Sequence, residues 1–283
     1  MSPERIVDSH VHFWNPAQLR YPWLDGLPAL NRALLPADFA AASRMANVGK
    51  LLFVESGCES MHSLAEVNWV SSLAKSEPRL KGIVAHAPLE KGDAVRAELE
   101  LLGGRPLVKG VRRSLQDERD PGFCVRPKFI AGVKLLAAFD FTFDLCIRHG
   151  QLPCAVELVR RVPQVTFVLN HFGKPDVRGG KTGPWATALK ALAALPNVVC
   201  KVSGLATEAD WLNWQPASLK PFFERAFECF GFDRMLFGSD WPVATLSTSY
   251  QRWFETVGEF ISFAGRADRL KLFRTNAERI YRV

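Results

Sequence analysis

The chain has 283 residues, 48% hydrophobic and 23% charged, an ordinary globular composition in which no stretch approaches the roughly 20 apolar residues of a membrane span. Its 36 Lys and Arg against 29 Asp and Glu leave a formal charge of +7, but the basic residues are spread out without interleaved aromatics. That argues against a nucleic-acid surface and leaves an anionic small substrate or product as the use of the surplus.

The first predicted strand, Arg5–His10, runs on into Val11-His12. Alternate side chains of an extended strand share a face, so His10 and His12 converge. Two imidazoles aimed at one point hold a metal ion, or polarise a carbonyl and move a proton, or are hydrogen-bonded core residues, and the short motif does not choose among these. An aromatic and proline-rich insert from about 13 to 36, with Trp14, Tyr21 and Trp23, reads as a pocket wall or lid.

A helix from Pro36 precedes the second strand, Lys50–Glu55, a continuous apolar run suited to burial on both faces. A helix over Ser63–Lys75, a strand over Gly82–His86 and a helix over Ala94–Leu102 follow. The fourth strand is Leu107–Arg113, with a helix near Pro127–Ala138; the fifth is Thr142–Cys146, with Leu152–Val162 as its helix. Val165–His171, Asn197–Gly204 and Arg234–Asp240 give the last three strands, separated by helices at Pro184–Ala194 and Leu219–Phe230. Helices near Tyr250–Ala264 and Arg266–Tyr281 finish the chain.

Eight strand-and-helix units predict an α/β fold, a closed (β/α)8 TIM-like barrel formed as one domain over residues 1–283. Catalytic groups of such barrels sit at the C-terminal ends of the strands. Those ends carry His10 with His12, Glu55, His86, Arg112 with Arg113, His171, Lys201 with Ser203, and Asp240. Repeated termination of apolar strands in ionisable groups points to a site rather than to packing. The six cysteines are scattered with no Cys-x-x-Cys pair and read as reduced thiols, and the polar N-terminus leaves no room for a signal peptide, so a cytoplasmic protein is expected.

Val7-Asp8-Ser9-His10-Val11-His12-Phe13-Trp14, Leu169-Asn170-His171-Phe172-Gly173-Lys174-Pro175 and Leu236-Phe237-Gly238-Ser239-Asp240-Trp241-Pro242 together resemble the amidohydrolase superfamily. Arg20–Leu24, Val54–Gly57 and Lys109–Arg112 extend the likeness to its amidohydrolase-related branch, which contains sugar-acid and dicarboxylate lactonases, and most closely to the fuconolactonase and rhamnonolactonase types. The resemblance implies water attack on the carbonyl of an aldonolactone, with Asp240 as base and His10, His12 and His171 holding a metal or polarising the carbonyl. It implies Arg112 as the anchor for substrate oxygens, since only one of Arg112 and Arg113 can face a barrel interior.

Glu55 and His86 are then candidates for contacts to sugar hydroxyls or for bracing other groups. Lys201 and Ser203 share a face, which puts one of them on the pocket wall, and Trp14, Trp23 and Trp241 offer flat surfaces for a sugar or anchors for their loops. The two-metal members of the superfamily carry a modified lysine or a glutamate at the fourth strand and a histidine at the fifth. This chain has Arg112 and Arg113 at the first position and Asp144 at the second, so the expectation is one divalent ion such as Zn²⁺ on His10, His12 and Asp240, or none, and no organic cofactor. The partner expected is a small sugar lactone, without nucleic acid or membrane, in a monomer or homo-oligomer. A metal-dependent decarboxylase, a dicarboxylate lactonase and a non-catalytic barrel that binds sugar acids are the competing readings.

Overall fold

In a computed structural model, which describes residues 5–283, eight strands form one sheet in sequential order with every neighbouring pair parallel. The strands are β1 (Ile6–Val11), β2 (Val48–Val54), β3 (Leu80–Ala85), β4 (Val108–Val111), β5 (Thr142–Leu145), β6 (Phe167–Leu169), β7 (Val198–Val202) and β8 (Met235–Phe237). The ring closes where the His12 amide donates to Trp241 O at 2.8 Å and the Asp240 amide to His10 O at 2.9 Å. The (β/α)8 barrel is therefore as the sequence predicts.

Each strand is followed by a helix: α1 (Pro36–Ala42), α2 (Ser63–Leu73), α3 (Arg96–Gly103), α4 (Pro127–Leu135), α5 (Leu152–Arg161), α6 (Gly183–Ala193), α7 (Pro216–Phe230) and α8 (Tyr250–Phe260). They form because their apolar residues recur at helical spacing. In α5, Leu152, Ala155, Val156, Leu158 and Val159 face the sheet while Arg160 and Arg161 lie outside. α8 is started by Ser249, whose Oγ accepts from the Arg252 amide at 3.1 Å, a cap that stabilises by about 1 kcal/mol.

Inside the barrel the lower layer is apolar. Val7, Leu52, Val54, Val84, Val168, Val199 and Leu236 pack against Ala277, Ile280 and Tyr281 of the last helix, α10 (Asn276–Tyr281), which plugs the bottom. The upper layer is polar, and β1 passes from one to the other through a bulge. Its pairing with β2 slips between Asp8 and Val11. Strict alternation would set Val7 and His10 on opposite faces. The extra residue restores both to the interior.

The insert after β1 folds back on itself, Trp14 and Leu34 exchanging backbone hydrogen bonds at 3.1 and 2.9 Å, with Tyr21, Leu24 and Leu30 buried beneath. The observed strands are shorter than predicted at β4, β6, β7 and β8, and beyond β6, β7 and β8 the backbone leaves the extended region at His171, Gly204 and Asp240, all at positive φ. The predicted final helix is three pieces: α9 (Arg266–Leu270), a π turn at Lys271–Thr275, and α10. No helix of the described residues is long and apolar enough to cross a membrane, and all six cysteines are free.

Candidate active site

The polar layer converges on one carboxylate oxygen. Oδ1 of Asp240 stands 3.4 Å from Nε2 of His12, 3.6 Å from Nε2 of His10 and 3.8 Å from Nε2 of His171. Both Asp240 and His171 lie just past their strands on left-handed backbone, with φ of 59° and 53°. Such strain in non-glycine residues is retained where the surroundings over-determine it, as they do at active sites.

Two glycines make the close approach possible. A Cβ at Gly204, itself at φ 58°, would fall 2.4 Å from Nδ1 of His171, and one at Gly238 would fall 2.8 Å from Cβ of His10. Any side chain at either position would displace a histidine.

The far nitrogen of each imidazole is also held. Nδ1 of His12 meets the Val54 carbonyl at 2.8 Å, Nδ1 of His171 meets Ser203 Oγ at 2.9 Å, and Nδ1 of His10 faces Lys201 Nζ at 3.3 Å. A carbonyl only accepts, so Nδ1 of His12 carries a proton. Burial works to raise the Asp240 carboxyl, but His171 and His12 overcome it and hold the group down at about 2. Burial drives His171 down to about 3 against the pull of Asp240, and His10 falls well below the ordinary imidazole value from burial and the neighbouring Lys201. At neutral pH the site is an ionised carboxylate beside neutral His10 and His171 rings.

Arg112 forms one side. Its Nε donates to Glu55 Oε1 at 2.6 Å, its Nη2 to the Glu55 carbonyl, and its Nη1 lies 3.4 Å from Nε2 of His10. Burial works to raise Glu55, yet Arg112 holds it below the usual carboxylate range. Arg113 faces outward, where it pairs with Glu90 and Glu118. Glu55 therefore braces Arg112.

Lys201 is wholly buried beneath His10, behind a histidine rather than on the pocket wall, and its Nζ is 2.6 Å from Asp144 Oδ2. The same carboxylate accepts from Asn170 Nδ2 at 3.0 Å and from Tyr281 OH at 2.9 Å. Burial lowers the Lys201 ammonium below the ordinary lysine value while Asp144 acts against it.

The tryptophans differ in their positions. Trp241 is buried edge-on against Phe13 and Phe39, and Trp14 donates to Leu30 O at 3.0 Å, so both rings anchor their segments. Trp23 is partly exposed and donates to Ser56 O at 2.8 Å. His86 lies off the cluster in a side cavity of about 330 Å³, which also takes in Met61, Leu64 and Leu102.

Sequence reasoning missed three groups. Glu66, on α2, is buried behind Glu55 and approaches the Ser56 amide at 3.3 Å; burial and the Glu55 charge push it up to about 8. Asp8 receives the amides of Ser239 at 2.9 Å and His10 at 3.1 Å, tying β1 to β8, and burial raises it to about 6. Tyr281 is the third, and a glutamate at a core-facing helix position was the one available signal among them.

His10, His12 and Asp240 could hold a metal ion, their ligand atoms lying within 4.8 Å of one another. The two Nε2 atoms of His10 and His12 are 3.2 Å apart. A tetrahedral ion at about 2.0–2.1 Å from each would hold them about 3.3 Å apart. The rear contacts suit it unevenly: His12 donates to a carbonyl as metal-bound imidazoles do, whereas His10 faces an ammonium.

A carboxylate at the end of β8 facing histidines from β1 and β6 defines a hydrolase of the barrel class. The chain belongs to the amidohydrolase family, whose model matches residues 7–283. It is 33% identical to an L-fucono-1,5-lactonase of Burkholderia multivorans over 97% of this chain and 95% of that one. It is 25% identical to an L-rhamnono-gamma-lactonase of Scheffersomyces stipitis over the full length of both. A crystal structure of an amidohydrolase from Burkholderia multivorans with bound Zn superposes with a TM-score of 0.88 at 31% identity, covering 99% of this chain and 100% of that one.

Proposed function

We propose that this enzyme opens a hydroxylated sugar-acid lactone, an aldonolactone such as L-fuconolactone, to the aldonate. The observation that carries the reading is the convergence of three imidazole Nε2 atoms on Asp240 Oδ1 within 3.8 Å. It is joined by the lactonase names of the relatives, one a 1,5-lactonase and one a gamma-lactonase.

The reaction follows from the charges. A water between Asp240 and the lactone carbonyl gives its proton to the carboxylate as its oxygen attacks carbon. The carbonyl oxygen becomes an oxyanion, facing the Arg112 guanidinium that Glu55 holds in place. The ring C–O bond then breaks, and the departing alkoxide takes the proton back from Asp240. A carboxyl held at about 2 is an acid strong enough to return it readily. The carboxylic acid so formed gives its remaining proton to solvent, leaving a carboxylate with a free hydroxyl, an anion suited to Arg112 and to a chain of charge +7.

Trp23 and His86 are the groups we assign to the sugar hydroxyls and ring face, since Trp23 is partly exposed and His86, in its side cavity, has no partner on Nε2 among the described residues. A divalent ion, where bound, would be held by His10, His12 and Asp240 and would supply Lewis-acid polarisation of the carbonyl.

Acid release from a panel of aldono-1,5- and aldono-1,4-lactones at neutral pH tests the proposal. Turnover of at least one hydroxylated lactone is expected. A panel left intact, with decarboxylation of a hydroxybenzoate in its place, would overturn it.

A further inference from the structure

The contact between Lys201 and His10 runs opposite to the usual arrangement behind a catalytic or metal-bound imidazole, where a carboxylate or carbonyl accepts the rear N–H. Here the rear partner is a donor. Lys201 Nζ is 2.6 Å from Asp144, and both side chains have no exposed surface. Asp144 in turn gathers Asn170 and Tyr281, so its oxygens accept from three donors, one just past β6, one on β7 and one on α10. That leaves an ammonium fixed inside the barrel with a second N–H aimed at His10 Nδ1, 3.3 Å away.

We propose that Lys201 is a positioning residue which makes Nδ1 of His10 an acceptor and so holds the ring in its Nε2–H form, with that proton directed into the site. The remaining contacts complete the chain. Nδ1 of His12 is spent on the Val54 carbonyl, so Nε2 is the nitrogen that His12 turns to the site. That nitrogen is 3.2 Å from His10 Nε2, where two lone pairs would repel, so a proton lies between them, and the His10 Nε2–H that Lys201 favours supplies it. Arg112 Nη1 lies 3.4 Å from the same atom, on a guanidinium whose Nε and Nη2 are already held by Glu55.

The His10 proton therefore occupies the place a shared metal ion would take, between His12 and Asp240. Lys201 favours the proton over the ion, because a metal on His10 Nε2 would force an N–H against the ammonium. The role assigned to His10 rests on the lactonase reading, but the tautomer is a property of the resting protein, so the two can fail separately.

Long-range ¹H–¹⁵N spectra of the whole protein with ¹⁵N-labelled histidine test the assignment, His10 being located with a His10→Asn control. A protonated Nε2 with a bare Nδ1 is expected. A proton on His10 Nδ1, in either the neutral or the charged ring, would overturn the proposal.

Because Lys201→Met alone leaves Asp144 buried and unpaired, Lys201→Met with Asp144→Asn is the second arm, as removal of both charges is tolerated better than removal of one. In it, Zn²⁺ is expected to bind at least about 10-fold more tightly, and kcat on a turned-over lactone to fall about 10-fold or more with KM little changed. Unchanged Zn²⁺ affinity and kcat in a folded variant would contradict the role.

Discussion

Arg112 Nε lies 2.6 Å from Glu55 Oε1 with both side chains less than a tenth exposed, so the one guanidinium that faces the histidines is held by a buried carboxylate. Removing either partner strands the other charge, at a cost of about 3–5 kcal/mol. Arg112→Met is therefore expected to lower the urea midpoint strongly, and Glu55→Gln with Arg112→Met to recover much of the loss. Activity should not return in the double variant, because the oxyanion has lost its cation. Chemical denaturation beside acid-release assays separates the two effects.

Ser203 Oγ, 2.9 Å from His171 Nδ1, holds that ring from behind, as the Val54 carbonyl holds His12. Ser203→Ala is expected to reduce kcat about 10-fold or more while changing the melting temperature little, since loss of a supporting contact typically costs 10–100-fold. Steady-state kinetics on any turned-over lactone checks it. A Ser203→Ala enzyme with unaltered kcat would remove His171 from the reaction.

Glu66 gives the molecule a dependence on pH that lies outside the chemistry. Its carboxyl is raised from 4.5 to about 8 by burial and by Glu55. Between those values the folded state holds a proton that the unfolded chain has released, so the stability contributed by Glu66 is complete below about 4.5 and is lost as pH rises toward about 8. Glu66→Gln should leave stability near pH 5 almost unchanged and raise it at pH 8 relative to the wild type. Urea unfolding of both proteins at the two pH values measures the difference.

Much of this was legible in the residues. The alternation of apolar runs with amphipathic helices dictated the barrel, and ionisable groups at strand ends marked His10, His12, His171 and Asp240 together with Glu55, His86, Lys201 and the Arg112–Arg113 pair, from which the family resemblance chose Arg112. What was not legible depended on departures from regularity. The bulge in β1 reverses the phase of the strand, so the side that Val7 shares with His10 could not be counted from alternation. Lys201 looked like a residue of the wall because its partner, Asp144, lies 57 positions away on β5, and its second neighbour, Tyr281, arrives from the last helix. Trp241 looked like a sugar platform, and its burial against Phe13 and Phe39 comes from closure of β8 onto β1, a contact between the two ends of the chain.

Asp240 is the group to test first, since three imidazoles converge on its Oδ1 and the proposed reaction takes it as the base. The most direct measurement is the rate of acid release from an aldonolactone by wild type and by Asp240→Asn, with far-UV circular dichroism to confirm that the fold is kept. The account predicts a fall of about 100- to 10,000-fold in kcat, the range for loss of a general base, with an unaltered spectrum. A correctly folded Asp240→Asn enzyme that retained the wild-type rate would contradict it.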